Sequence, residues 1–138
     1  MLRLSKLTDY STVIMSYMAR ESVGIHSVAQ MAAALDIAVP TTSKILKTLA
    51  RGGLVQSLRG VKGGYMLSRP LEQISIADVI DAMEGPFGLT ECSVRTGLCA
   101  QEVGCPIGSK WQHLNQVIRH TLDQVTLADM SRSHGGFW

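Results

Sequence analysis

Long apolar runs are missing from this sequence, and with them any candidate for a membrane-spanning helix, which needs about 20 consecutive apolar residues. The opening stretch MLRLSKLTDY has no apolar core of the kind a secretory signal requires, so the expected compartment is the cytoplasm. No Ser-His-Asp order, phosphate-binding glycine loop or paired acidic constellation stands out, which argues against an enzyme and against a small-molecule substrate. Cysteine is scarce: there are three, all inside CSVRTGLCAQEVGC, residues 92–105. Three is an odd number for disulfides and one short of a tetrahedral metal site. In a reducing compartment such thiols stay reduced, which favours metal binding or redox chemistry over structural bridges.

What is present is enough apolar material for a core. With 46% hydrophobic residues in 138, the chain accommodates one domain, or a small domain plus an oligomerisation element. The net charge of +2 is unevenly spread. Residues 1–70 hold nine Lys and Arg against three Asp and Glu, a balance of +6, whereas residues 71–138 hold four against eight, a balance of −4. A basic half is the electrostatic footprint of a phosphate binder, although many solvated surfaces are basic without binding anything.

In the basic half, Tyr10, Val13, Ile14, Tyr17 and Met18 form the apolar stripe of an amphipathic helix. Ser27 and Gln30, at capping-box spacing, open a second, short helix of about two turns through Leu35. Pro40 suits the first turn of a third helix, and Gly52-Gly53 ends it. The second and third helices make a helix-turn-helix candidate. On a helical wheel, Thr42, Ile45, Leu46 and Leu49 share one side of the third helix, with Ser43, Lys44, Lys47 and Arg51 on the other. An ordinary solvated face is the plain alternative. As second helix of the pair, this one would enter a major groove, with Thr41, Ser43, Lys44, Lys47 and Arg51 as candidate DNA contacts.

LVQSLRGVKGGYMLSRP follows, reading as strands at 54–57 and 65–68 joined by a glycine-rich turn that carries Arg59 and Lys62. A basic hairpin directly after a helix-turn-helix is a wing, with both cations placed for a phosphate or minor groove. The expected fold is mainly α with a small β-hairpin: a winged helix-turn-helix domain over residues 1–70, then a connecting helix over 71–86 opened by Ser75 and Asp78. A cysteine loop spans 87–108, a long helix 109–130 and a tail 131–138. Ile107, Trp111, Leu114, Ile118, Leu122 and Val125 form a narrow apolar stripe on the long helix. A core-facing helix is one reading of that stripe; a homodimer interface pairing two winged heads on double-stranded DNA accounts better for its length.

LTDY near the start, the SLRGVKGGYMLSRP wing, the SIADVIDAMEG helix, cysteines at C-x6-C-x5-C and the late TLADM together resemble the Rrf2 family of bacterial iron–sulfur regulators, of the IscR and NsrR type. The resemblance covers nearly the whole chain and is greatest to regulators of the SUF iron–sulfur assembly system, followed by the nitric-oxide-sensing NsrR group. It implies a dimeric transcription factor, usually a repressor, whose DNA affinity follows the occupancy of a 2Fe-2S or 4Fe-4S cluster. It also implies thiolate ligation by Cys92, Cys99 and Cys105, soft ligands suited to iron, and a minor-groove role for Arg59.

One position departs from the IscR-like pattern, in which a histidine three residues after the last cysteine is the fourth ligand: here it is Gly108. In NsrR-like members a carboxylate near the N-terminus of the partner subunit takes that place, and Asp9 matches it; a helix N-cap or first-turn acid, which needs no cluster, is the other reading. His113, solvent or a small thiol are further candidates. A zinc-stabilised module and a cluster-free DNA-binding protein with redox-active thiols are the other classes compatible with three cysteines.

Overall fold

Ser5 starts the first helix, its hydroxyl accepting the Thr8 amide at 3.2 Å. In a computed structural model, which describes residues 2–21 and 24–132, that helix is α1 (Lys6–Arg20). Ser27 caps α2 (Val28–Leu35) by accepting from the Gln30 amide at 3.1 Å. The reciprocal arm of a capping box is replaced, because the Gln30 side chain donates to Tyr17 Oη on α1 instead. Asp36, left-handed at φ 53°, turns the chain, and Ala38 begins α3 (Val39–Arg51) without a side-chain cap.

The hairpin is β1 (Val55–Leu58) and β2 (Gly64–Leu67), antiparallel with Val55 opposite Leu67 and Leu58 opposite Gly64. His26 adds a third short edge: its amide and carbonyl both pair with Tyr65 at 2.8 Å. Gly64 has φ +156°, and a Cβ there would run into the His26 carbonyl, so this seam requires glycine.

A 3-10 turn (Leu71–Gln73) leads into α4 (Ile76–Glu84), which opens with the capping box of Ser75 and Asp78. A short α5 (Glu91–Val94) lies inside the cysteine loop, followed by α6 (Gly108–Gln124) and α7 (Leu127–Ser131). The core gathers Ile14 and Met15 from α1, Met31 from α2, Ile45, Leu46 and Leu49 from α3, Ile74, and Val79 from α4. Leu127 joins it with no exposed surface.

That last placement divides the single helix expected over 109–130. The chain leaves helical geometry at Val125, whose carbonyl accepts the Ile76 amide at 2.8 Å, while the Leu127 amide donates to the Ile74 carbonyl at 2.9 Å. Thr126 then caps α7 with a second capping box, to Asp129. Burying Leu127 and Ala128 against the winged head outweighs continuing a straight helix into solvent. Of the expected tail, Ser131 ends α7, and residues 133–138 lie outside the described residues. Among the described residues, no helix is long and apolar enough to cross a membrane.

Candidate nucleic-acid interface and thiol loop

The two faces projected for α3 separate in space. Thr42, Ile45, Leu46 and Leu49 are all fully buried, and the Thr42 hydroxyl donates to the Ala38 carbonyl, so it needs no partner outside the helix. Lys44, Lys47 and Arg51 are exposed on the opposite side, with Thr41 and Ser43 half-buried beside them. Arg51 bends back to donate to Thr48 Oγ1 at 3.3 Å. Among the described residues, no ion pair engages Lys44, Lys47, Arg59 or Lys62.

At the wing tip, residues 59–62 are exposed, and the turn is closed by the Gly63 amide donating to the Gly60 carbonyl at 2.9 Å. A Cβ at position 63 would meet the Leu58 carbonyl. Sequence reasoning missed Val61, which stands fully exposed at 107% between Arg59 and Lys62. Its signal is an apolar residue within an otherwise polar turn, where an inserted side chain can meet a groove wall.

Arg69, counted in the basic half, is withdrawn from that surface. Its Nε donates to the Gln73 carbonyl at 2.8 Å, and its Nη2 pairs with Asp78 at 3.1 Å. Burial opposes ionisation of Asp78, but hydrogen bonds from the Ser75 amide and hydroxyl and from Arg69 outweigh it, holding the carboxyl below its ordinary value.

The thiol loop is anchored on α6 by side chains that the sequence did not single out. Asn115, 8% exposed, accepts the Leu89 amide at 2.9 Å and donates weakly to the Phe87 carbonyl at 3.5 Å. Gln112 reaches the Cys92 carbonyl at 3.5 Å. Cys92 sits in α5 with its sulfur 3.2 Å from Thr90 Oγ1. Cys99 and Cys105 lie on turns tied through Glu102: its amide donates to the Cys99 carbonyl, its own carbonyl accepts the Cys105 amide, and its carboxylate takes the Gly97 amide at 2.6 Å. All three thiols are free and half-buried.

As donors these thiols suit iron, being soft, accessible and uncommitted to disulfides. As folded, however, they do not form a site. Among the described residues, no group of three or more His, Cys, Asp or Glu is gathered to hold a metal ion. The physical reason is local: Cys92 is held by a helical turn and the other two by separate Glu102-centred turns. Gly108 adjoins Cys105, close enough that a Cβ at position 108 would lie 3.7 Å from its sulfur, and has no side chain to offer a fourth ligand. Asp9 is exposed in the first turn of α1, behind the true cap Ser5, as a first-turn acid would be.

The stripe on α6 also divides. Trp111 and Leu114 are 39% and 44% exposed, alongside exposed Ile107 and Val117, whereas Ile118 and Leu122 line a groove of about 390 Å³ with Leu2, Leu4, Ile80 and Phe87. Val125 is half-buried at the helix end. Arg119, on the same helix, donates to both carboxylate oxygens of Asp81 on α4. Those hydrogen bonds raise its pKa above the ordinary arginine value.

Known proteins resemble this chain over most of its length. Over 88% of its length this chain is 32% identical to the protein aau3 of Rhizobium meliloti, covering 75% of that protein. It matches the solved structure of T. potens IscR with a TM-score of 0.65 and 26% identity, covering 99% of this chain and 95% of that one. It matches the oxidised form of Staphylococcus aureus CymR with a TM-score of 0.67 and 26% identity, covering 97% and 99%. The family model described as Rrf2, iron-dependent transcriptional regulator, matches residues 4–133. With a winged helix-turn-helix head whose cations face outward and a family match across nearly its whole length, the chain belongs to the Rrf2 family of transcriptional regulators.

Proposed function

We propose that this chain works as a homodimeric repressor in the cytoplasm, reading double-stranded DNA with α3 and the wing and answering to an iron–sulfur cluster held by the thiol loop. Its targets in this reading are iron–sulfur assembly genes of the SUF type. The observation that carries the DNA-binding part is the outward cationic face of α3, Lys44, Lys47 and Arg51, continuing into Arg59 and Lys62 on the wing. Recognition-helix side chains address base edges and phosphates in the major groove, and a wing cation reaches the neighbouring minor groove. Trp111 and Leu114, open on α6, supply an apolar face for a second copy, continued by Ile118, Leu122 and Val125. Reading two half-sites one duplex turn apart requires a dimer to hold its recognition helices about 34 Å apart.

Cys92, Cys99 and Cys105 are the ligands in this reading, with Asp9 of the second protomer as fourth. Since the thiols are not gathered in the folded chain, a cluster would have to draw the loop together. Anaerobic purification followed by visible absorption and iron and sulfide analysis tests the reading, repeated on Asp9→Ala. A coloured wild type with near-stoichiometric iron, and a less stable chromophore in Asp9→Ala, is the expected result. An unchanged chromophore in the variant removes Asp9 from the set.

The ungathered thiols favour a second reading, a cluster-free regulator governed by thiol oxidation, in keeping with the likeness to an oxidised CymR structure. A colourless protein whose DNA affinity changes with cysteine oxidation selects it.

A further inference from the structure

Three polar side chains at helical spacing, Gln112, Asn115 and Arg119, face the body of the protein from α6. The first two hold the thiol loop. The third crosses to α4, where Arg119 Nη1 and Nη2 donate to the two oxygens of Asp81 at 2.8 and 2.7 Å, and its Nε reaches Asp123 at 3.4 Å. The residue after Asp81 is Ala82, packed so tightly on Gly52 that a Cβ at position 52 would collide with it. Gly52 is the C-cap of α3. Helix α4 is therefore clamped between the helix that carries the loop and the helix that carries the cationic face.

The fork is a weak source of stability, because both side chains are about one third exposed, 34% and 38%. What it supplies is geometry. A planar guanidinium matched to both oxygens of one carboxylate admits a narrow range of rotation between its two helices, unlike a single point contact. At the Ala82–Gly52 contact there is no flexible side chain to absorb a shift, so a rotation of α4 is passed to the end of α3.

Resting on the DNA-binding reading above, we propose that Arg119 is a positioning residue for DNA recognition: through Asp81 and Ala82 it sets the orientation of α3 relative to the loop-bearing helix. It touches no DNA itself, and its effect falls on sequence discrimination rather than on phosphate attraction.

The test begins with wild-type protein enriching a duplex from a pool with a random centre. Affinities for that duplex and for a scrambled duplex of equal length are then measured at one salt concentration for Arg119→Met, Asp81→Asn and the double variant. Each single variant is expected to lose roughly tenfold on the enriched duplex, with scrambled-duplex affinity unchanged. The double variant is expected to lose no more than either single, since both act through one contact. Losses that add, equal losses on both duplexes, or wild-type discrimination in both folded single variants overturn the proposal. Thermal melts establish folding. Should Arg119→Met melt early, Arg119→Lys keeps the charge while losing the fork, and wild-type discrimination in it is likewise fatal. A wild type that enriches no duplex overturns the DNA-binding reading, and the positioning role with it, before any variant is compared.

Discussion

Ser75 and Thr126, the N-caps of α4 and α7, face each other across an isolated antiparallel bridge. Each hydroxyl accepts the amide three residues ahead, from Asp78 at 3.0 Å and from Asp129 at 3.1 Å, and each of those carboxylates returns to its cap's amide. The bridge, from the Ile76 amide to the Val125 carbonyl and from the Leu127 amide to the Ile74 carbonyl, joins the C-terminal segment to the start of the connecting helix, and the two capping boxes fix the backbone on either side of it.

Removing either cap loosens that junction. Ser75→Ala and Thr126→Ala are each expected to cost about 1 kcal/mol of folding stability, read from urea denaturation midpoints. Wild-type midpoints in both variants would show that the bridge does not depend on its caps.

The same carboxylates impose an acid limit. Asp78 is lowered despite its burial by Ser75 and Arg69, and Asp129 is lowered by the Thr126 amide and hydroxyl. A folded-state value below the unfolded one means that the stabilisation is fully present above the ordinary carboxylate value of about 4 and disappears as pH falls through the folded value. Asp78→Asn should therefore melt below wild type at pH 7 and approach it at pH 3. A gap of constant size across that range would place the effect outside ionisation.

Leu127 tests whether α7 belongs to the head. Fully buried where α7 packs on α1 and the 3-10 turn, it leaves a cavity when truncated, and Leu127→Ala is expected to cost about 2–5 kcal/mol. Met130, exposed on the same short helix, is the control: Met130→Ala should leave the melting temperature close to wild type.

Cations of the head divide by role. Lys47→Ala and Arg59→Ala should each reduce the slope of log affinity against log salt by about 1, the signature of one lost phosphate contact. Arg69→Ala should leave that slope unchanged while lowering stability, because its guanidinium serves Asp78 and the Gln73 carbonyl. A reduced slope in Arg69→Ala would return it to the DNA surface.

The open side of α6 predicts association. Trp111→Glu together with Leu114→Glu should convert a dimer to a monomer in sedimentation, with the head still folded, since both side chains are exposed in the single chain. An unchanged mass would move the interface elsewhere.

Much of the head was legible because its signals are short-range. Ser27, Ser75 and the two faces of α3 follow from spacings of three and four residues, and the wing from a glycine-rich turn between short apolar runs. The candidate site was legible in part. Lys44, Lys47, Arg59 and Lys62 came out as exposed as their pattern required, but Arg69, alike in charge, is structural. Val61 and Asn115 carried little signal, since an exposed valine and a buried asparagine look ordinary until their surroundings are known.

By itself, the sequence determined the winged helix-turn-helix, the charge division and the confinement of thiols to one loop, all properties of neighbouring residues. Only the tertiary structure decided that α6 stops at Gln124 so that Leu127 can enter the core, and that Arg119 grips Asp81. It alone decided, too, that three nearby cysteines are held on separate turns. Those outcomes depend on which distant segments meet when apolar surface is buried, and spacing along the chain does not encode that competition in a form local rules can read.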